Sequence, residues 1–155
     1  MFTKTIKVFN QQQTLQIANT MAEYILNNKK AIITLNGDLG SGKTFLTSAI
    51  INHIAKTKHL PNQNVVSPTF NILKVYNLNN INIYHYDLYR IKNIEELYEL
   101  DIETAFDNVA IIEWSSLIEP LLPHKTFDIN IEIKEDYRVF RIETLDINSG
   151  YFKHL

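Results

Sequence analysis

The chain has 155 residues, of which 45% are hydrophobic and 21% charged, with a formal net charge of -2 and no cysteine. At this length roughly 70% of the unfolded surface can be buried, so one domain over residues 1–155 is expected, with a core that needs no staples. Missing cysteine excludes disulfides, thiolate metal sites and cysteine nucleophiles, and the mild charge gives no ground for strong direct nucleic-acid binding.

The first predicted element is a strand over Thr3–Phe9, where Ile6 and Val8 alternate with polar residues. The same alternation denies the N-terminus the continuous apolar stretch of a signal peptide. No run approaches the roughly 20 apolar residues of a membrane helix, so a soluble, cytoplasmic protein is expected. Asn10 followed by Gln13 marks a helix start, and Leu15, Ala18, Ala22 and Ile25 continue at helical spacing to about Asn27. Ala31–Leu35 (AIITL) is a short β-branched run typical of a buried strand. A glycine-rich loop follows. Leu46, Ala49, Ile50 and Ile54 then mark a helix fading near Lys58. Val65 and Val66 suggest another strand, interrupted by Ser67-Pro68. Phe70–Tyr76 and Ile81–Asp87 read as a hairpin across NLNN. Asn93 is placed to cap one helix carrying Ile94, Leu97, Tyr98 and Ala105. Val109–Ile112 is a second buried strand, ending in Glu113-Trp114. Phe127–Ile133 and Val139–Leu145 alternate around KEDY as a second hairpin, and the last ten residues carry no strong pattern. The expected fold class is therefore α/β: a central mixed sheet flanked by helices, with antiparallel hairpins.

Three of the four glycines fall in Gly37-Asp38-Leu39-Gly40-Ser41-Gly42-Lys43-Thr44-Phe45. The stretch matches G-x-x-x-x-G-K-[ST] between a buried strand and a helix, the P-loop context. At this composition a chance match is on the order of one in a thousand. Glycines allow the loop to fold around a phosphate, its amides form an anion nest, and the helix adds its N-terminal dipole. Lys43 would neutralise the β/γ-phosphates and Thr44 would offer its hydroxyl to Mg²⁺. The nucleotide-binding residues are taken as Asp38, Leu39, Gly40, Ser41, Gly42, Lys43, Thr44 and Phe45.

A P-loop also needs acids. Glu113 ends the run VAII, and ligands of a parallel sheet lie beyond the carboxyl ends of its strands, so Glu113 is expected to face Thr44. It would hold a Mg²⁺-bound water or orient the attacking water. In HYDLYR, alternation puts His85, Asp87 and Tyr89 on one face. Asp87 is assigned to the Mg²⁺ shell. The His-x-Asp spacing alone is more often a structural hydrogen-bonded pair than a metal site, and no third ligand has zinc-type spacing. Arg90 is a candidate to touch phosphate or a partner, but reads better as pairing with Glu95 or Glu96. Thr69 in SPTF could reach Mg²⁺ from a mobile loop, and Trp114 is expected to pack. An N-K-x-D guanine signature is missing and arginines number only three, Arg90, Arg138 and Arg141, which favours adenine over guanine and disfavours a kinase lid.

GDLGSGKTF, SPTF, HYDLYR and IIEW, in this order and spacing, resemble the TsaE (formerly YjeE) family of small bacterial P-loop ATPases. The resemblance runs from the first helix near Thr14 to the hairpin near Arg138. It implies ATP and Mg²⁺ as cofactors, Thr69 and Asp87 in switch-like segments, and Glu113 in the Walker B role. Lys43, Asp87 and Glu113 would be the catalytic residues, with Thr44, Thr69, Asp87 and Glu113 around the metal. It further implies an ATPase weak on its own and dependent on the TsaB-TsaD complex, whose TsaD component threonylcarbamoylates adenosine 37 of tRNAs reading ANN codons. ATP hydrolysis would reset that complex between turnovers. The chain departs from the family pattern at four places. Ser41 replaces an alanine, Phe45 replaces a threonine and so receives no role for its side chain, Ser115-Ser116 replaces a proline-acid pair, and Leu100-Asp101 lacks a glycine. The alternatives are a small-metabolite kinase, opposed by the scarcity of arginine, and a nucleotide-sensing adaptor without hydrolysis, opposed by the intact acids.

Overall fold

A computed structural model describes residues 1–145, 150–152 and 155. Seven strands form one mixed sheet: β1 (Phe2–Val8), β2 (Ala31–Gly37), β3 (Leu73–Leu78), β4 (Ile81–Asp87), β5 (Val109–Glu113), β6 (Phe127–Ile133) and β7 (Arg138–Thr144). Their spatial order is β1-β7-β6-β2-β5-β4-β3. The strand β2 lies in parallel register between β5 and β6, and β4 runs parallel to β5. The pairs β1/β7, β6/β7 and β3/β4 are antiparallel.

Local chemistry explains most of these elements. All five residues of β5 and the first five of β2 are buried, as expected for strands covered on both faces. The helix α1 (Gln11–Asn28) begins where the Asn10 side chain accepts from the Gln13 amide at 3.0 Å, while Gln13 Oε1 accepts from the Phe9 amide at 2.6 Å. It ends at Lys29, whose φ of 57° breaks the helical path. The helix α2 (Lys43–Thr57) starts directly from the glycine loop. Together α1 and α2 cover one face of the sheet through Ile17, Met21, Ile25, Leu46, Ile50 and Ile54. The opposite face is closed by Tyr86, Leu88, Leu97, Ile102 and Ile118 beneath short helical turns. No helix among the described residues is long and apolar enough to cross a membrane.

Several expectations need correction. Val65 and Val66 form no strand. Asn52 on α2 holds that segment instead, accepting from the Gln63 amide at 2.7 Å and donating to the Gln63 carbonyl at 3.1 Å, so Val65 packs against the core from a loop. The first hairpin begins at Leu73 rather than Phe70, which is left 82% exposed, and it turns on Asn79-Asn80. The single helix expected after Asn93 is two pieces: a 3-10 helix over Ile94–Leu100 and the short α3 over Ile102–Phe106. Asp101 divides them at a φ of 53°, in the left-handed region that favours glycine, and the Tyr86 hydroxyl takes the Leu100 carbonyl at 2.6 Å. The glycine missing from Leu100-Asp101 is thus accommodated by aspartate, one of the few residues that tolerates this conformation. The last ten residues lie partly outside the described set, which retains a 3-10 turn at Gly150–Phe152.

Gly37 sets the tightest constraint. A Cβ at this position would lie 2.5 Å from the Ile131 carbonyl oxygen and 2.7 Å from Ser41 Oγ, at a φ of 152°. At Gly40, with a φ of 78°, a Cβ would meet nothing within 4 Å. Gly37→Ala should therefore cost about 1–3 kcal/mol or more from overpacking against fixed backbone. Gly40→Ala should cost only the left-handed backbone penalty of about 1–2 kcal/mol. Urea unfolding of the two variants tests this order, and equal midpoints would contradict it.

Candidate nucleotide-binding cleft

At the carboxyl end of β2 the chain turns through 38–42 and enters α2. Gly42, at a φ of 107°, makes the entry, and the Ser41 amide closes a turn onto the Asp38 carbonyl at 3.0 Å. Lys43 folds back along this turn. Its Nζ donates to the carbonyls of Gly37 at 2.7 Å and Asp38 at 3.1 Å, approaches Ser41 Oγ at 3.5 Å, and lies 4.3 Å from the centre of the Trp114 ring. Lys43 is 5% exposed. Burial pushes its pKa below the ordinary lysine value, and the nearby carboxylates of Glu113, Asp87 and Asp38 offset only part of that effect.

Two acids face this lysine from adjacent strands. The register that sets Asp87 beside Glu113 puts both at the carboxyl ends of β4 and β5. The Thr44 hydroxyl lies 3.0 Å from Glu113 Oε1 and 3.3 Å from Oε2, so P-loop threonine and strand-end acid meet directly. Asp87 Oδ2 accepts from the Ser67 hydroxyl and, at 3.1 Å, from that of Thr69, while Oδ1 accepts from the Tyr89 amide at 3.0 Å. Among the expected site residues, the structure thus joins Thr44 to Glu113 and Thr69 to Asp87, with Lys43 electrostatically coupled to both acids. Leu39 is 68% exposed at the loop tip, and Phe45 is 37% exposed on the cleft side of α2.

The cleft above these groups has a volume of about 800 Å³. One wall is the β1–α1 junction with Phe9, Asn10 and Thr14; the other is the Lys134–Tyr137 turn between β6 and β7. Arg138 ties the second wall to the loop by donating to the Gly40 carbonyl at 3.0 Å.

Some contributors had little or no sequence signal. Ser67 was visible only as part of a loop dipeptide. His85 does not pair with Asp87: its Nε2 lies 2.8 Å from Glu113 Oε1. Trp114 packs, as expected from base rates, against Tyr89 at 4.9 Å, yet its ring is also the surface on which Lys43 rests. Its backbone takes a φ of 57°, a feature no composition reveals. Arg90 makes no ion pair with Glu95 or Glu96 among the described residues and instead lies over the Phe70 ring at 4.6 Å. Ser115, at a point of departure from the family pattern, is buried and locked to Asn36 of β2 through its amide at 3.1 Å and its hydroxyl.

The family described as "Threonylcarbamoyl adenosine biosynthesis protein TsaE" matches residues 8–141. A Rickettsia felis protein named tRNA threonylcarbamoyladenosine biosynthesis protein TsaE is 43% identical over 82% of this chain and 71% of its own length. A Haemophilus influenzae protein of the same name is 38% identical over 80% of this chain and 78% of its own. The crystal structure of Bacillus subtilis YdiB superposes with a TM-score of 0.70 at 27% identity, covering 96% of this chain and 89% of that one. Sequence, fold and the P-loop cleft agree, and the chain belongs to the TsaE family.

Proposed function

We propose that the protein is a Mg²⁺-dependent ATPase of tRNA threonylcarbamoyladenosine biosynthesis, a single P-loop domain acting in the cytoplasm on a TsaB-TsaD complex. The observation that carries this reading is the direct meeting of Thr44 with Glu113 at the mouth of a glycine loop holding Lys43. The names of the relatives supply the pathway.

In this reading the loop amides of 38–44 and the α2 dipole bind the triphosphate, and the Lys43 ammonium leaves its carbonyl partners for the β/γ-phosphates. The walls at Phe9–Thr14 and Lys134–Arg138 flank the nucleoside. The donor set fits a hard cation, being oxygen throughout: Thr44 hydroxyl, Glu113 and Asp87 carboxylates, and Thr69 hydroxyl. Bound there, Mg²⁺ would neutralise phosphate charge. Glu113 would orient the attacking water and accept its proton. Ser67 and Thr69 would carry the state of the site outward, since both are tied to Asp87 from a loop. With the tRNA chemistry done by TsaD, ATP hydrolysis would reset the complex between turnovers, which fits a chain whose mild charge need not grip tRNA.

Turnover of ATP, measured with and without the TsaB-TsaD pair, should be weak alone and rise several-fold or more with the pair. Turnover indifferent to the pair, or phosphate transfer to a small metabolite, would overturn the reading. In the same assay Glu113→Gln should retain nucleotide binding but lose about 10²–10⁴-fold in turnover, the usual range for a lost general base. Lys43→Ala should weaken binding of a fluorescent ATP analogue at least tenfold; undiminished binding would place the phosphates elsewhere.

A further inference from the structure

His85 is 0% exposed and is not among the residues that line the cleft. It sits on β4 two residues before Asp87, paired in register with Ile111, two residues before Glu113. Parallel pairing with equal offsets brings the two side chains together on one face of the sheet. Its Nε2 lies 2.8 Å from Glu113 Oε1, the same oxygen that receives the Thr44 hydroxyl at 3.0 Å. The other ring nitrogen, Nδ1, is buried with no hydrogen-bond partner among the described residues. The one hydrogen bond of the imidazole among the described residues therefore goes to Glu113. An apolar side chain would fill the same space without burying an unpaired ring nitrogen, so packing alone does not account for the imidazole. The Nε2–H tautomer is the one that serves a carboxylate and leaves no N–H unpaired.

We propose that His85 is a positioning residue for Glu113. Its Nε2–H fixes the carboxylate through Oε1, the oxygen nearer the Thr44 hydroxyl at 3.0 Å, while Oε2 lies 3.3 Å from that hydroxyl. Glu113 is only 2% exposed and ends a strand, so its rotamer is otherwise set by Thr44 alone among its hydrogen-bond partners. Thr44 has a second task at the cation. A donor outside the cleft keeps the acid aimed while ligands come and go. This role rests on the ATPase reading above for its kinetic consequence, and on the geometry alone for the bond.

Kinetics and spectroscopy test the two parts separately. His85→Leu should lower kcat at least tenfold with KM changed less than twofold. His85→Gln, whose amide nitrogen reaches near the Nε2 position, should restore most of the loss. The double variant His85→Leu/Glu113→Gln should be no slower than Glu113→Gln alone, because both changes disable one acid. In protein without nucleotide, ¹⁵N-histidine NMR should show one slowly exchanging Nε2–H among the five histidines, lost in His85→Gln and exposed to rapid exchange in Glu113→Ala. Unchanged kcat in a folded His85→Leu, additive losses in the double variant, or a His85 resonance indifferent to Glu113→Ala would each overturn the proposal. If His85→Leu does not fold, the NMR comparison still decides. If the native chain turns over no ATP at all, the ATPase reading fails while the spectroscopic result still judges the pair.

Discussion

The whole cleft depends on the burial of β2. This strand is covered on both faces and paired in parallel on both edges, which leaves it no freedom to shift or twist independently. Its carboxyl end therefore emerges at a fixed height, level with Glu113 on one side and Ile131 on the other. The glycine loop inherits that rigidity. Gly37 passes so close to the Ile131 carbonyl that no side chain fits, and Lys43 is folded over the carbonyls that the strand delivers. Parallel pairing also gives β5 and β4 the same direction, so three strand ends converge on one crevice.

Charge is concentrated there against the preference of a buried setting. A lysine 5% exposed sits within the influence of Glu113, Asp87 and Asp38, and burial still outweighs them in its titration. The loop compensates with backbone oxygens and the face of Trp114, which attract the ammonium where water is scarce. On the ATPase reading proposed above, these contacts would be internal stand-ins for an anionic partner. Exchanging them for phosphate oxygens would replace partial charges with full ones and favour ligand binding without a large movement of the main chain.

The fold was legible wherever residue pattern and covalent connection agreed. AIITL, VAII and the alternation around KEDY define β2, β5 and the β6–β7 hairpin, because burial on two faces or one leaves a period in the sequence. The pattern misled at Val65-Val66, where β-branched residues pack from a loop that Asn52 pins, and at Asp101, where a backbone angle invisible in composition divides a helix. In the cleft, the meeting of Thr44 and Glu113 follows from both lying at strand or helix ends on one side of a parallel sheet. The hydroxyl of Ser67, the imidazole of His85 and the guanidinium of Arg138 had no such signal. Each reaches its partner across 20 to 98 residues of chain, His85 and Arg138 through the order of the sheet and Ser67 from a loop.

That sheet order carries a consequence for synthesis of the protein. The edge strand β1 precedes the rest of the sheet in the chain, yet its pairing partner is β7, and both contribute to the lining of the same cleft. A chain emerging from a ribosome would complete its glycine loop and α2 long before Arg138 and the hairpin arrive. Until then β1 would be an unpaired strand and the loop would lack one of its two walls. The site would become competent late, when the ends of the fold join, so a truncated product would keep the phosphate motif without a finished pocket around it.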